Sequence, residues 1–210
     1  MNTIQTENTK HVLNELFSDS KNDYLKMAKG MAKGIFRPLQ PSDFKDVYLS
    51  ISKEQGENLK HLIVRNNIKN IVEFGTSFGI STLYLAEGVI ETGGKIVTTE
   101  LIESKALKAI DNFKKAGVND CIEVRVGDAL ETLHGYNESI DLLLLDGWKN
   151  LYLPLFQMLE PNFNTNTIIY VDNADMSDTK VFLKAVAKNS NYKLESMFQG
   201  KVVLITVVNK

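Results

Sequence analysis

Hydrophobic positions change period along this chain, and the change separates two unlike regions. In the first forty residues apolar side chains recur at helical spacing: Val12, Leu13, Leu16 and Phe17, then Tyr24, Ala28, Met31 and Ile35. That rhythm is the apolar face of an amphipathic helix. Gly30 and Gly34 interrupt the second set, and Pro38 and Pro41 end it. The pattern predicts one or two short helices followed by a loop over 35–43. Ser52 and Gln55 then form a capping-box pair, each side chain satisfying a backbone N–H of the other. They open a helix carrying Leu59, Leu62 and Ile63, which Asn66-Asn67 closes.

From Ile68 onward short apolar runs alternate with helical patterns. The runs 68–74, 95–100, 122–126, 140–145 and 167–171 suit strands buried on both faces. Between and after them lie helical stretches at 81–90, 104–116 (closed by Gly117), 129–133, 152–159 (stopped by Pro161) and 179–188. The chain then shows two strand patterns, 192–198 and 202–208, joined by a Gly200-Lys201 turn. So short a link makes them antiparallel neighbours. A parallel βαβ series ending in a hairpin is a doubly wound, Rossmann-like α/β sheet, mostly parallel, with one reversed strand near its edge. The expected organisation is a single domain over 1–210. Its Rossmann-like core covers 51–210, and residues 1–50 add a helical cap over that core or a lid over a substrate pocket.

Composition narrows the field. With 43% hydrophobic and 24% charged residues the chain reads as globular, and its net charge of −2 lacks the basic surplus that phosphate backbones and anionic membranes attract. Neither nucleic acid nor membrane is an expected partner. No apolar stretch approaches the roughly 18 residues of a membrane helix. The polar stretch Met1 to Lys10 lacks the apolar segment of a secretory signal, so the expected location is the cytoplasm. The one cysteine, Cys121, cannot form an intrachain disulfide and reads as an inert core thiol. His11, His61 and His134 show no metal-ligand spacing, which argues against zinc.

Candidate chemistry gathers at the carboxyl ends of the strands, where open α/β sheets bind ligands. The first strand runs into Glu73-Phe74-Gly75-Thr76-Ser77-Phe78-Gly79, with Ser81 just inside the following helix. Gly75 permits a sharp turn, and Gly79 permits close approach of a ligand or of a packing helix. The spacing is not the G-x-G-x-x-G of dinucleotide sites. An acid opening the turn suits a ligand with an amino group and no phosphates, as in the methionine end of S-adenosylmethionine; a plain strand-to-helix turn is the other reading. The second strand ends in Glu100-Leu101, about 20 residues beyond the last glycine, where a carboxylate can accept both ribose hydroxyls. The third leads into Gly127-Asp128-Ala129, and Asp128 either receives the adenine amino group or caps the next helix. Acids on three successive strand ends read together as an adenosine site. Its candidate contacts are Glu73, Gly75, Thr76, Ser77, Gly79, Ser81, Glu100, Leu101, Gly127, Asp128 and Ala129, joined by Asp146 and Trp148 from the next strand end. Trp148 either lies against adenine or fills the core.

The fourth strand ends in Asp146-Gly147-Trp148-Lys149 and the fifth in Asp172-Asn173. Adjacent parallel strands, about 4.8 Å apart, set Asp146 beside Asp172 and Asn173. Three oxygen donors converging there suit magnesium or another hard divalent cation, with positions left for water or substrate. Two helix caps are the alternative. Lys149 reaches the same place, either as a proton acceptor beside the cation or as a solvated lysine.

These residues resemble the catechol O-methyltransferase family of class I S-adenosylmethionine-dependent methyltransferases. The likeness rests on Glu73-x-Gly-x-x-x-Gly79, Glu100, Leu145-Asp146-x-Trp148-Lys149-x-x-Tyr152-Leu153-Pro154 and Asp172-Asn173, spans 68–186, and looks closer to bacterial members. The resemblance implies a seven-stranded sheet with its last strand antiparallel, and magnesium held by Asp146, Asp172 and Asn173. It implies Lys149 as general base, Glu73, Gly75 and Gly79 along the methionine moiety, Glu100 at the ribose and Trp148 beside adenine. The implied reaction moves a methyl group from S-adenosylmethionine to a hydroxyl of a small catechol-like or phenolic acceptor; a homodimer is left open. There are departures. Gly147 stands where mammalian members carry histidine, and the late carboxylate that clamps a second catechol hydroxyl has no assigned place in 192–201, Glu195 being only a candidate. The first forty residues show no match. Two rival readings are a non-catalytic S-adenosylmethionine-binding protein and a nicotinamide-dependent oxidoreductase, the latter opposed by the missing dinucleotide glycines.

Overall fold

In the computed structural model, which describes residues 3–35 and 37–209, the apolar runs after Ile68 become strands. They are β1 (Asn70–Phe74), β2 (Lys95–Glu100), β3 (Ile122–Val126), β4 (Ile140–Leu145), β5 (Phe163–Val171), β6 (Tyr192–Met197) and β7 (Val202–Val207). All seven form one sheet in the order β3-β2-β1-β4-β5-β7-β6. The pairs among β1 to β5 are parallel, whereas β7 is antiparallel to both β5 and β6. The reversed strand therefore sits one place in from the edge. Sheet growth changes direction between β1 and β4, which opens a crevice over their carboxyl ends.

Helices cover both faces: α1 (Thr3–Asp19), α2 (Asp23–Ala32), α3 (Lys53–Arg65), α4 (Ile80–Thr92), α5 (Glu103–Ala116), α6 (Ala129–Thr132), α7 (Tyr152–Leu159) and α8 (Ser177–Val186). Successive strand side chains point to opposite faces, and the two core layers divide accordingly. Ile71, Leu142, Leu144, Ile168 and Tyr170 pack with residues of α1, α3, α4 and α5. Val72, Leu143, Leu145, Ile169 and Val171 pack with residues of α6, α7 and α8. This double coverage explains why 140–145 reads as an unbroken apolar run. β5 begins four residues before the stretch its sequence pattern marks. Phe163 already pairs with Ile140, but the polar Asn164, Thr165 and Asn166 at the ensuing register shift hide the strand.

The N-terminal region departs from expectation in two ways. α1 has 17 residues, longer than the short helices foreseen, and buries Val12, Leu13 and Leu16 in the core. The second apolar stripe faces outward, with Tyr24 81% and Ile35 79% exposed and Met31 also exposed. What α2 turns inward is Gly30, because a Cβ there would lie 2.8 Å from the Asp43 carbonyl oxygen and 3.0 Å from the Phe44 ring. The following loop, in which Phe36 lies outside the described residues, folds around the buried Asp43. Arg37 donates to both of its oxygens and Lys33 stands 3.3 Å away, so the Asp43 carboxyl lies well below the usual carboxylate range.

The capping box opens α3 as read. Ser52 Oγ accepts from Gln55 N at 3.1 Å, and Gln55 Oε1 accepts from Ser52 N at 2.9 Å. Cys121 sits in the turn before β3, where burial pushes its thiol up to about 11 and keeps it protonated. Among the described residues, no helix is long and apolar enough to cross a membrane.

Candidate active site

β1 ends at Phe74, and the chain leaves through Gly75 at φ 106°, where a Cβ would lie only 2.7 Å from the Asp146 carbonyl oxygen. Glycine lets the ends of β1 and β4 close on each other. The ladder continues past the strands, with Asp146 N donating to Phe74 O at 2.9 Å and Asp172 N to Leu145 O at 3.0 Å. Asp146 and Asp172 thus reach the same rim of the crevice.

At that rim the Asp146 side chain is 10% exposed and Asp172 is buried. Burial, then the neighbouring Asp172 charge, pushes the Asp146 carboxyl well above its ordinary range, against the opposing pull of Lys149. Asn173 follows in a left-handed conformation at φ 53°, which asparagine tolerates better than most residues, and its amide donates to Asp172 Oδ2 at 2.9 Å. Among the described residues, no group of three or more His, Cys, Asp or Glu could hold a metal ion. The donor set here is instead two carboxylates and one amide oxygen, all hard ligands of the kind magnesium takes.

Lys149 turns into this rim. Its Nζ donates to Gly147 O at 2.8 Å and stands 3.8 Å from Asp146 Oδ1, so it is no solvated surface lysine. Tyr152 lies beneath, fully buried, with its hydroxyl donating to Asp172 O at 3.4 Å. Glycine at 147 has a local cause, since a Cβ there would come 2.4 Å from the Phe74 ring. Trp148 is half-buried against the α7–α8 layer, 6.4 Å from the Phe44 ring.

The glycine turn differs in detail from its sequence reading. Glu73 is fully buried, and Ser81, Thr82 and Thr98 each donate a hydroxyl to it at 2.6 Å. Its oxygens brace β1, β2 and α4 rather than facing a ligand's amino group, because a carboxylate on the covered face of a sheet must find donors within the core. Ser81 is drawn inward with it. Thr76 is buried against the Thr98 hydroxyl at 2.6 Å. Gly79 serves helix packing, since a Cβ there would meet the Phe113 ring at 2.4 Å.

Glu100, at the end of β2, accepts from Ser77 N at 2.8 Å and from Ile102 N at 2.9 Å, which fixes the carboxylate at the crevice edge; Leu101 beside it is exposed. Gly127 N donates to Glu100 O at 2.9 Å. Asp128 caps α6, with Oδ1 accepting from Leu130 N at 2.8 Å, and Ala129 is buried behind it. Of the two readings of Asp128, the cap is therefore present.

Residues 47–52 were missed as part of the site, having no periodicity to announce them. The buried Lys105 donates to Val47 O at 2.8 Å, and Ser77 Oγ donates to Tyr48 O at 2.7 Å. The Tyr48 ring lies 4.4 Å from that of Phe78. This segment thereby crosses the glycine turn. Between it and the loop after Asn173 opens a cavity of about 680 Å³, bounded by Phe17, Ile51, Gln55, Asp172, Asn173 and Met176 among others. Glu195 does not line it and is exposed on the edge strand.

Residues 41–199 match a family model described as O-methyltransferase. The chain is 31% identical over 137 residues to the catechol O-methyltransferase of Niastella koreensis, covering 63% of this chain and 61% of that protein. It is 33% identical over 126 residues to the catechol O-methyltransferase of Mycobacterium tuberculosis, covering 60% and 57%. The chain thus spans about three fifths of the length of these curated relatives. The solved O-methyltransferase from Bacillus cereus in complex with SAH superposes with a TM-score of 0.71 at 25% identity, over 95% of this chain and 91% of that one. With the family model matched along well over half of its length, the chain belongs to the O-methyltransferase family.

Proposed function

We propose that this protein transfers a methyl group from S-adenosylmethionine to a hydroxyl of a small phenolic, catechol-like acceptor, with magnesium at Asp146, Asp172 and Asn173. The observation that carries the reading is the convergence of two carboxylates, the largely buried Asp146 and the buried Asp172, at adjoining strand ends. Such a pair repels unless a proton or a cation lies between them. Two carboxylates and an amide oxygen leave coordination positions open, as magnesium sites do. When bound, magnesium would stabilise the ionised hydroxyl of the acceptor. The SAH-bound structural neighbour supports the cofactor, and the names of the curated relatives support the acceptor class.

The chain's own residues supply the rest. Lys149 Nζ, steadied by Gly147 O, takes the acceptor's proton. Glu100 holds the ribose, and Trp148 flanks the adenine. The turn from Gly75 to Ser77 seats the methionine moiety, while residues 47–52 close over it and limit water. With oxygen, methyl carbon and sulfur held in line, the O–C bond forms as the C–S bond breaks and S-adenosylhomocysteine departs.

The test is methyl transfer from labelled S-adenosylmethionine to a panel of catechols, with magnesium or with EDTA. Transfer that depends on magnesium supports the reading. Undiminished transfer in EDTA removes the metal, and no transfer to any phenol removes the acceptor class.

A further inference from the structure

Two lysines line the cavity beside Asp172 and Asn173, a feature that methyl transfer to a neutral catechol does not require. Lys53, from the first turn of α3, and Lys201, from the turn between β6 and β7, both line it. Neither forms an ion pair among the described residues. Lys53 Nζ has only a neutral partner, Asn14 Oδ1 at 3.4 Å, and stands 5.1 Å from the Phe17 ring centroid. Lys201 is anchored through its backbone, its carbonyl accepting from Ala174 N at 2.8 Å, beside the loop that leaves Asn173. Two helix starts add to this field. Ser52 and Met176, the N-cap residues of α3 and α8, line the same cavity, and each helix brings the positive end of its dipole. Against these stand two lining carboxylates, Asp172, which the reading above commits to the metal, and Asp175.

We propose that the acceptor is an anionic one: an aromatic ring with vicinal hydroxyls and a carboxylate substituent, the carboxylate being held by Lys53 and Lys201. The inference rests on the methyl-transfer reading above and specifies its substrate class. The hydroxyls occupy the Asp172–Asn173 end, Phe17, Ile51 and Met176 supply apolar surface for the ring, and the carboxylate meets the two ammonium groups. A cavity of about 680 Å³ holds a ring with a short side chain, being within the usual range of small-molecule sites. Charge-assisted hydrogen bonds to a carboxylate are stronger than neutral ones, and the same lysines repel a protonated amine.

The experiment compares 3,4-dihydroxybenzoate, catechol and dopamine as acceptors for the full chain with S-adenosylmethionine and magnesium. The expected order of kcat/KM is benzoate over catechol over dopamine, with about tenfold at each step, the equivalent of one charge-assisted contact. Raising the salt concentration compresses the order, because these lysines are solvent-accessible. Lys53→Met and Lys201→Met each raise KM for the benzoate about tenfold and shrink its advantage over catechol, whereas Lys193→Met, on the exposed edge strand, does neither. Equal efficiency for all three acceptors, a preference for dopamine, or lysine variants that keep the benzoate's advantage would overturn the proposal. If none of the three is methylated, the methyl-transfer reading fails instead. Calorimetric binding of the same three compounds to the SAH-loaded protein then decides the acceptor charge, with benzoate bound no more tightly than dopamine counting against it.

Discussion

Gln55 joins a helix cap to the candidate metal site: its amide donates to Asp172 Oδ1 at 2.8 Å while its carbonyl oxygen accepts from Ser52 N at 2.9 Å. One buried side chain thus uses both ends of its amide, the nitrogen to orient a carboxylate more than a hundred residues away and the oxygen to start α3. With Oδ1 engaged, Oδ2 is the oxygen that accepts from the Asn173 amide at 2.9 Å.

Partners that orient a ligating carboxylate matter nearly as much as the ligand itself, typically about 10–100-fold in metal affinity. Gln55→Leu is therefore expected to weaken binding of manganese, used as a magnesium surrogate, by that factor while leaving SAH affinity within about twofold. Ser52→Ala provides the contrast. It removes the reciprocal cap and costs about 1 kcal/mol of stability, but keeps the amide on Asp172. Calorimetric titration with manganese reads both variants, and an unchanged affinity in Gln55→Leu would show that Asp172 needs no such support.

Glu73 links the site to pH. Burial raises its carboxyl above the ordinary range, against the pull of Ser81, Thr82 and Thr98. A folded-state value above the unfolded one means the folded protein binds the proton more tightly. The stabilisation is complete below the unfolded value of about 4.3 and is lost as pH rises through the folded value. Glu73→Gln keeps the shape and removes the titration. The melting temperature of the variant relative to wild type should therefore climb as pH is raised from about 4. Parallel melting curves across that range would mean that the three hydroxyls fully offset burial.

The glycine between Asp146 and Trp148 is a packing requirement of this chain. A side chain at 147 must displace the Phe74 ring, 2.4 Å from where its Cβ would stand, and overpacking of that kind costs roughly 1–3 kcal/mol. Gly147→Ala should lower the melting temperature by about 2–4 °C per kcal/mol lost, and Phe74→Leu in the same chain should recover part of it. A Gly147→Ala protein that melts with wild type would show the ring free to move.

Much of this was legible in the sequence, for reasons that also explain the rest. Leu142 to Leu145 form a recognisable strand because helices cover both faces. Asp146 and Asp172 fall side by side because parallel register carries strand ends to one level. Local rules worked where the interaction was local, as in the Ser52–Gln55 cap. They missed what depends on distant partners. Nothing near Gln55 in sequence announces Asp172, and nothing near Lys105 announces Val47. The stripe from Tyr24 to Ile35 has helical period but no core to face, since close approach of Phe44 to Gly30 decides which side of α2 packs. For Glu73 the residue type pointed to a ligand, whereas the hydroxyls that surround it come from α4 and β2, one helix and one strand further along the chain.

Lys105 offers the sharpest check on the segment that crosses the glycine turn. It is 3% exposed, donates to Val47 O at 2.8 Å and lies 3.4 Å from Ser77 Oγ. Burial pulls its ammonium below the ordinary lysine range, while Glu100, Asp23 and Asp46 pull the other way. Lys105→Met keeps the aliphatic stem but strands the Val47 carbonyl without its donor, a loss of about 1–3 kcal/mol when the acceptor stays buried. The segment can escape that cost by lifting off the turn, so the effect should appear as loosening more than as global unfolding. The expected result is about tenfold weaker SAH binding, together with faster proteolytic cleavage within 47–52, a melting temperature nearly unchanged without SAH, and one about 3–6 °C below wild type at the same saturating SAH concentration. SAH affinity equal to wild type would mean that Ser77 and Tyr48 hold the crossing without the lysine.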